Sequence, residues 1–206
     1  NSGTLERTGY SFAGWNTLAS GLGTTYVAGI GTLTTSSNLT LYAKWTVITY
    51  TITYSANSST SGTVPGAQTK TYGVELTVAS NSGTLERTGY SFAGWSTLAD
   101  GSGTTYAAGS GTLTVNSSAT LYAQWTANTL TVTYDSQLGS AITAGSTTTG
   151  GSISASPGTP SRTGYEFVGW FAASSGGIVI SFPYTHGQTA SFVLYAQWTA
   201  NTLTVT

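Results

Sequence analysis

Along much of the chain, apolar and polar positions alternate with a period of two. Tyr50, Ile52 and Tyr54 alternate with Thr49, Thr51 and Thr53, and Leu130, Val132 and Tyr134 are spaced in the same way among threonines. Leu39, Leu41, Ala43 and Trp45 alternate with Thr40, Tyr42 and Lys44. Period two with β-branched residues on the polar face predicts half-buried strands. Between these runs lie segments such as ANSSTSG at 56–62 and DGSG at 100–103, which read as turns. No window carries a sustained apolar stripe at 3.6 residues, and charged helix formers are scarce. The pattern predicts a mostly β chain with little helix.

These patterns recur. Residues 1–47 and 81–127 align without a gap and are identical at 36 of 47 positions. Both open with NSGTLERTGYSFAGW and close with LTLYAKWT (39–46) or ATLYAQWT (119–126). A looser copy reads SRTGYEFVGW at 161–170 and VLYAQWT at 193–199, and TANTLTVT occurs at 126–133 and again at 199–206. The reading is therefore a partial repeat at 1–47 (the C-terminal part of a unit), a complete repeat at 48–127 and a more divergent complete repeat at 128–200. Residues 201–206 supply the first strand of a following unit, and each complete unit has about four strands. Two or three residues join one unit's closing strand to the next unit's opening strand, in TLYAKWTVITYTITY (40–54) and TLYAQWTANTLTVTY (120–134). Connections that short favour an elongated rod. The chain reads as a window on a longer array. Segment 1–47 lacks an opening hairpin and is expected to need a TLTVT-like strand beside residues 41–45. That strand would come from the adjoining array or from Leu203 and Val205 of another molecule.

Composition narrows the chemistry. The chain has 42 Thr, 28 Ser and 27 Gly among 206 residues, and 5% of residues are charged, against roughly 25% in soluble proteins at large. With 39% apolar and 12% aromatic residues there is still material for a core. Five Lys and Arg and a net charge of −1 leave no basic patch for nucleic acid. No apolar run approaches the about 18 residues of a membrane helix. The absence of cysteine removes disulfides and thiolate metal sites. So few ionisable groups predict a melting temperature that barely moves between about pH 4 and 9.

The combination of RTGYSFAGW, a Gly-rich turn, a tyrosine and TLYAKW resembles the Listeria–Bacteroides repeat, also called the internalin B-repeat. The matching segments are 7–15 with 41–45, 87–95 with 121–125, and 162–170 with 194–198. This chain carries fewer charges than the family pattern, and its third copy offers Gly150-Gly151 where the second has Tyr72-Gly73. The resemblance implies a small β-grasp-like module used in tandem in bacterial surface proteins. It implies no enzyme activity.

The recurring residues are candidates for structure before function. Gly14-Trp15, Gly94-Trp95 and Gly169-Trp170 suit a core in which Gly admits a close neighbour and Trp fills limited space. Tyr10, Phe12, Trp45, Tyr90, Phe92, Trp125, Tyr165, Phe167 and Trp198 complete this expected core. Arg7, Arg87 and Arg162 are the charged positions common to all copies, and their planar guanidinium groups suit a clamp over a Tyr ring or on strand-end carbonyls. The turn tips differ among copies. Asp100, Ser102, Ser174 and Ser175 are the residues there that could face a ligand. No pair of carboxylates recurs in all copies, so glycosidase-like chemistry lacks its parts. His186 has no counterpart and reads as a surface-loop histidine. Lys44 aligns with Gln124 and Gln197, which argues against a shared Lys–Asn cross-link.

The expected function is non-enzymatic: a structural and adhesive repeat segment of a bacterial cell-surface or extracellular fibre protein. Its expected partners are neighbouring repeats or copies of the same protein, with glycans or a host surface protein as further candidates. No cofactor, metal or membrane span is expected. The alternative is a carbohydrate- or protein-binding module that uses exposed aromatics and turn tips.

Overall fold

A computed structural model describes residues 3–203, and no helix occurs among them. The chain forms two compact units. The first comprises Asn1–Asn57, Thr63–Thr84 and Gly94–Gln124, and the second Ser58–Gly62, Leu85–Ala93 and Trp125–Thr206.

The first repeat supplies β1 (Tyr10–Asn16), β2 (Thr25–Tyr26) and β3 (Tyr42–Val47), an antiparallel sheet ordered β2-β1-β3. The register between β1 and β3 shifts between Phe12 and Gly14, a bulge that inserts one residue. Gly14 has φ +115°, and a Cβ there would stand 2.5 Å from the Tyr26 carbonyl oxygen. Only glycine lets the two backbones approach this closely.

The second repeat adds β4 (Thr49–Ser55), β5 (Gln68–Thr71), β6 (Leu76–Thr77), β7 (Tyr90–Ser96), β8 (Thr105–Tyr106), β9 (Thr112–Leu113) and β10 (Ala119–Ala127). Its main sheet is ordered β5-β4-β10-β7-β8, and β6 pairs with β9 in a small second sheet. β4 and β10 run parallel, with Ile52 beside Ala119 and Tyr54 beside Leu121. The threonines of β4 face solvent while Ile52 and Tyr54 are buried. Trp95 is fully buried, and its Nε1–H donates to the Ala79 carbonyl at 2.8 Å. The Tyr54 ring meets it edge-on with centroids 4.7 Å apart. Tyr54 Oη accepts the Ala79 N–H at 2.7 Å and donates to Gln68 Oε1. Both polar groups of the Ala79 peptide are thus satisfied by the two aromatic side chains.

The third repeat repeats this plan with β11 (Thr129–Asp135), β12 (Gly145–Thr148), β13 (Ser152–Ile153), β14 (Tyr165–Phe171), β15 (Tyr184–Thr185) and β16 (Phe192–Ala200). Its sheet is ordered β12-β11-β16-β14, with β11 and β16 parallel, and β13 pairs with β15. Val132, Tyr134, Ile153, Trp170, Leu194 and Ala196 form its core. Trp170 Nε1–H donates to the Gly158 carbonyl at 3.1 Å, and Tyr134 lies edge-on at 5.1 Å.

Segment 1–47 is less covered than its counterpart at 81–127. In its three-stranded sheet β1 takes β2 and β3 as its two partners, and among the described residues the outer edge of β3, which carries Tyr42 to Trp45, is unpaired. Leu5 is 42% exposed where its counterpart Leu85 is 3%. Leu203 is exposed, and Val205 lies outside the described residues.

Trp95→Ala is expected to cost about 3–5 kcal/mol, comparable with the stability of a small module. Gly94 has φ +113°, and a Cβ there would lie 2.7 Å from the Tyr106 carbonyl oxygen. Gly94→Val is therefore expected to cost about 2–4 kcal/mol. Urea melts of both variants check these values, and a loss below about 1 kcal/mol for Trp95→Ala would contradict the central place given to this ring.

Candidate functional site

The feature common to all three copies is the turn R-T-G-Y. The N–H of Tyr10, Tyr90 and Tyr165 donates to the carbonyl of Arg7, Arg87 and Arg162 at 2.9, 2.9 and 3.1 Å. Gly9, Gly89 and Gly164 have φ +79°, +81° and +80°, the sign that the third position of a type II turn demands and glycine supplies. Closing the turn lays each Arg over its Tyr, with Cζ 3.9, 4.0 and 3.8 Å from the ring centroid. Such cation–π contacts stabilise by about 0.5–1 kcal/mol at exposed sites.

Beside this turn lies a shallow cleft. In the third copy it measures about 220 Å³ and is lined by Arg162, Gln137, Ser174, Ser175, Gly176, Gln197 and Trp198. The first copy has its counterpart, about 260 Å³, between Arg7, Ser20, Gly21, Lys44 and Trp45. Both fall below the about 300 Å³ at which small-molecule pockets usually begin. The amide, guanidinium and indole groups that line the third-copy cleft are engaged with the protein. Gln197 Nε2 donates to the Ala173 and Gly176 carbonyls at 3.1 and 2.7 Å, and Gln137 Nε2 donates to the Ser174 carbonyl at 2.6 Å. Trp198 Nε1–H donates to the Ser136 carbonyl at 2.9 Å. In the second copy, Asn57 Nδ2 donates across the same region to the Ala99 and Ala123 carbonyls at 2.8 and 2.7 Å.

The remaining candidates distribute as follows. Trp95 and Trp170 are buried, while Trp15, Trp45, Trp125 and Trp198 are half-buried. Tyr10, Phe12, Tyr90, Phe92 and Phe167 are likewise half-buried, and Gly14, Gly94 and Gly169 are buried. Phe12, Phe92 and Phe167 each meet a closing-strand Trp edge-on, at 5.7, 5.6 and 5.5 Å from Trp45, Trp125 and Trp198. Tyr165 differs from the expected core in being 39% exposed. Asp100 Oδ1 accepts both the Ser102 N–H at 3.0 Å and its hydroxyl at 2.7 Å. The backbone bond, then the hydroxyl bond, holds this exposed carboxyl below the usual carboxylate range. Asp100 and Ser102 thus close their own turn.

His186 is a correction: it is buried, not a surface-loop residue. Its Nδ1 accepts the Gln188 N–H at 3.2 Å, so Nε2 carries the proton toward Thr147 Oγ1 at 3.1 Å. Burial holds its pKa below the ordinary histidine value. Burial likewise pushes the Tyr54 and Tyr134 phenols up, with the Ala79 N–H pulling Tyr54 partly back.

Lys70 and Asn16 are among the buried polar residues that the sequence pattern did not single out. Lys70 is 1% exposed and donates to the Thr71 carbonyl at 3.0 Å and to Asn116 Oδ1 at 3.1 Å. Its signal was present, because Thr69 and Thr71 alternate with Gln68 and Lys70 and place the longer side chains on one face. Asn16, also buried, donates to the Gly21 and Gly23 carbonyls at 3.1 and 2.9 Å and accepts the Leu18 and Gly23 N–H groups at 2.9 and 3.0 Å. Nothing local distinguishes this strand-end asparagine from the other asparagines of the chain. Among the described residues, no group of three His, Cys, Asp or Glu side chains comes together as a metal site.

Comparisons with known proteins follow the repeat geometry. The model of the Listeria-Bacteroides repeat domain matches three segments, 1–44, 50–124 and 131–197. A protein of Evansella cellulosilytica named "Putative Gly-rich membrane protein" is 34% identical over 209 residues, covering all of this chain and 24% of that protein. A "Putative membrane protein" of the same organism is 37% identical over 128 residues, covering 60% of this chain and 18% of its own length. Internalin H of Listeria monocytogenes is 34% identical over 113 residues, covering 55% of this chain and 20% of its own length. The chain thus spans a quarter or less of the curated relatives it matches. No solved structure matches it.

The buried neutral His186 introduces a pH dependence that the composition does not suggest. The unfolded imidazole takes up a proton near about pH 6.5, while the folded ring resists it. Stability is therefore full above that pH and declines as pH falls below it. The melting temperature is expected to drop between about pH 7 and 5, and His186→Gln should flatten that drop. A wild-type melting temperature that is level across this range would contradict the buried neutral ring.

Proposed function

The chain belongs to the Listeria-Bacteroides repeat family, and from that membership we propose that it is a structural and adhesive repeat segment of a bacterial cell-surface protein. In this reading the segment acts as a stalk or fibre-forming array outside the cell, built from β-grasp-like modules, and catalyses no reaction. Its relatives' names, two membrane proteins and an internalin, support a place at the cell envelope.

The observation that carries the reading is the way one repeat passes into the next. A single residue, Ile48, separates β3 from β4, and a single residue, Asn128, separates β10 from β11. Each has its N–H tied to the preceding repeat, at Gly9 and at Gly89, both at 2.9 Å. A joint of one hydrogen-bonded residue has little freedom to swivel, which suits a load-bearing spacer. None of the six Trp rings stands open as a sugar platform: two are buried and four half-buried. The binding-module alternative draws on the Trp198 cleft, whose Gln137, Gln197 and Trp198 side chains already bond within the protein.

Small-angle scattering on chains of increasing repeat number tests the proposal. The maximum dimension is expected to grow by a constant increment per repeat. A dimension that stays level as repeats are added, or glycan-array binding abolished by Trp198→Ala, would favour the alternative.

A further inference from the structure

Two of the three R-T-G-Y turns carry a neighbouring repeat. At the first, the Ile48 N–H donates to the Gly9 carbonyl at 2.9 Å and the Tyr72 N–H donates to the Ile48 carbonyl at 3.0 Å. This lays the Tyr72 ring on the glycine, so closely that a Cβ on Gly9 would fall 2.0 Å from its Cδ1. At the second, the Asn128 N–H donates to the Gly89 carbonyl at 2.9 Å and the Thr149 N–H to the Asn128 carbonyl at 3.0 Å. Thr149 Oγ1 also donates to the Gly89 carbonyl at 2.5 Å, and a Cβ on Gly89 would lie 2.7 Å from Thr149 Cγ2. Each seated residue is followed by a glycine of positive φ, Gly73 at +70° and Gly150 at +63°. The same device operates with a ring in one place and a hydroxyl in the other.

The third turn has the first bond and, among the described residues, none of the others. The Asn201 N–H donates to the Gly164 carbonyl at 2.9 Å. Among the described residues, nothing lies within 4 Å of a Cβ built on Gly164. Burial follows the seating: Gly9 is buried, Gly89 is half-buried, and Gly164 and Tyr165 are exposed.

We propose that the face of Gly164, flanked by Arg162 and Tyr165, is a docking socket for a further repeat of this family, joined in the same polypeptide through Asn201. The occupant seats a residue equivalent to Tyr72 or Thr149. Its N–H bonds the Asn201 carbonyl and its side chain covers the bare glycine. The inference rests on reading the chain as a repeat array, and it adds the contact by which one repeat holds the next.

The duplicated octapeptide makes the test possible. Because residues 126–133 and 199–206 are identical, appending a copy of residues 134–206 after Thr206 continues the chain in register. Gly89→Asn and Gly164→Asn are each measured in the original and the extended chain. The two glycines have φ +81° and +80°, and Asn tolerates that region better than other side chains, so backbone strain cancels between them. In the original chain Gly89→Asn is expected to lower the melting temperature by about 5 °C more than Gly164→Asn, since only Gly89 is covered. In the extended chain Gly164→Asn should become as harmful as Gly89→Asn. An equal effect of Gly164→Asn in both chains overturns the proposal, as does an extended chain that no longer melts cooperatively. Scattering on the same two chains separates this from the stalk reading. A greater maximum dimension without a change in the Gly164→Asn effect removes the socket and leaves the stalk. An unchanged dimension removes the stalk.

Discussion

A sheet with no helix to cover it must find its apolar cover elsewhere, and in the complete repeats that cover converges on one indole. Trp95 in the second repeat and Trp170 in the third are enclosed, each with its Nε1–H on a loop carbonyl, Ala79 or Gly158. Each also has a tyrosine from the parallel strand edge-on against it, Tyr54 or Tyr134. A small module has little interior volume, so one large ring does what several aliphatic side chains would do in a larger domain. The N–H fixes its orientation, because a buried donor without an acceptor is costly. The glycine before each Trp belongs to the same requirement: at Gly94 it brings the β8 backbone to the strand that carries the ring.

The polar majority of the sequence has a division of labour. Threonines of β4 and β11 face outward, where β-branched side chains suit the pleated surface. The polar groups that turn inward are few and fully engaged, as Asn16, Lys70 and His186 illustrate. With so few charges to arrange, the loops are held by hydroxyl and amide side chains bonded to backbone. Asp100 with Ser102, Asn57 and Gln197 all act in this way. In the cleft beside Arg162, the side chains of Gln137, Gln197 and Trp198 are satisfied in this manner.

How much was legible before folding differs by residue. The strands were legible because period two survives any change of partner, and β4 and β11 show it plainly. The Arg–Tyr stack was legible because Arg7, Arg87 and Arg162 each recur three residues before a tyrosine. The parallel pairing of β4 with β10 was not, because partners far apart in the chain leave no local trace. His186 was misjudged for a related reason: its neighbours Thr147 and Phe192 arrive from distant strands.

The clearest separation comes from a segment that occurs twice. NSGTLERTGYSFAGW at 1–15 and at 81–95 has one sequence, and both copies make the turn, the Arg–Tyr stack and a positive-φ glycine backed by a tyrosine carbonyl. Those features depend on local backbone sterics and on side chains a few residues apart, so sequence alone determined them. Burial differs. Leu5 is 42% exposed and Leu85 is 3%, and Trp15 is half-buried where Trp95 is at 0%. Glu86, beside Leu85, pairs with Ser61 of the opening segment, and Tyr54 and Ala79 close over Trp95. Tertiary structure decided the difference, because exclusion of water from a side chain depends on which distant segments are present to cover it.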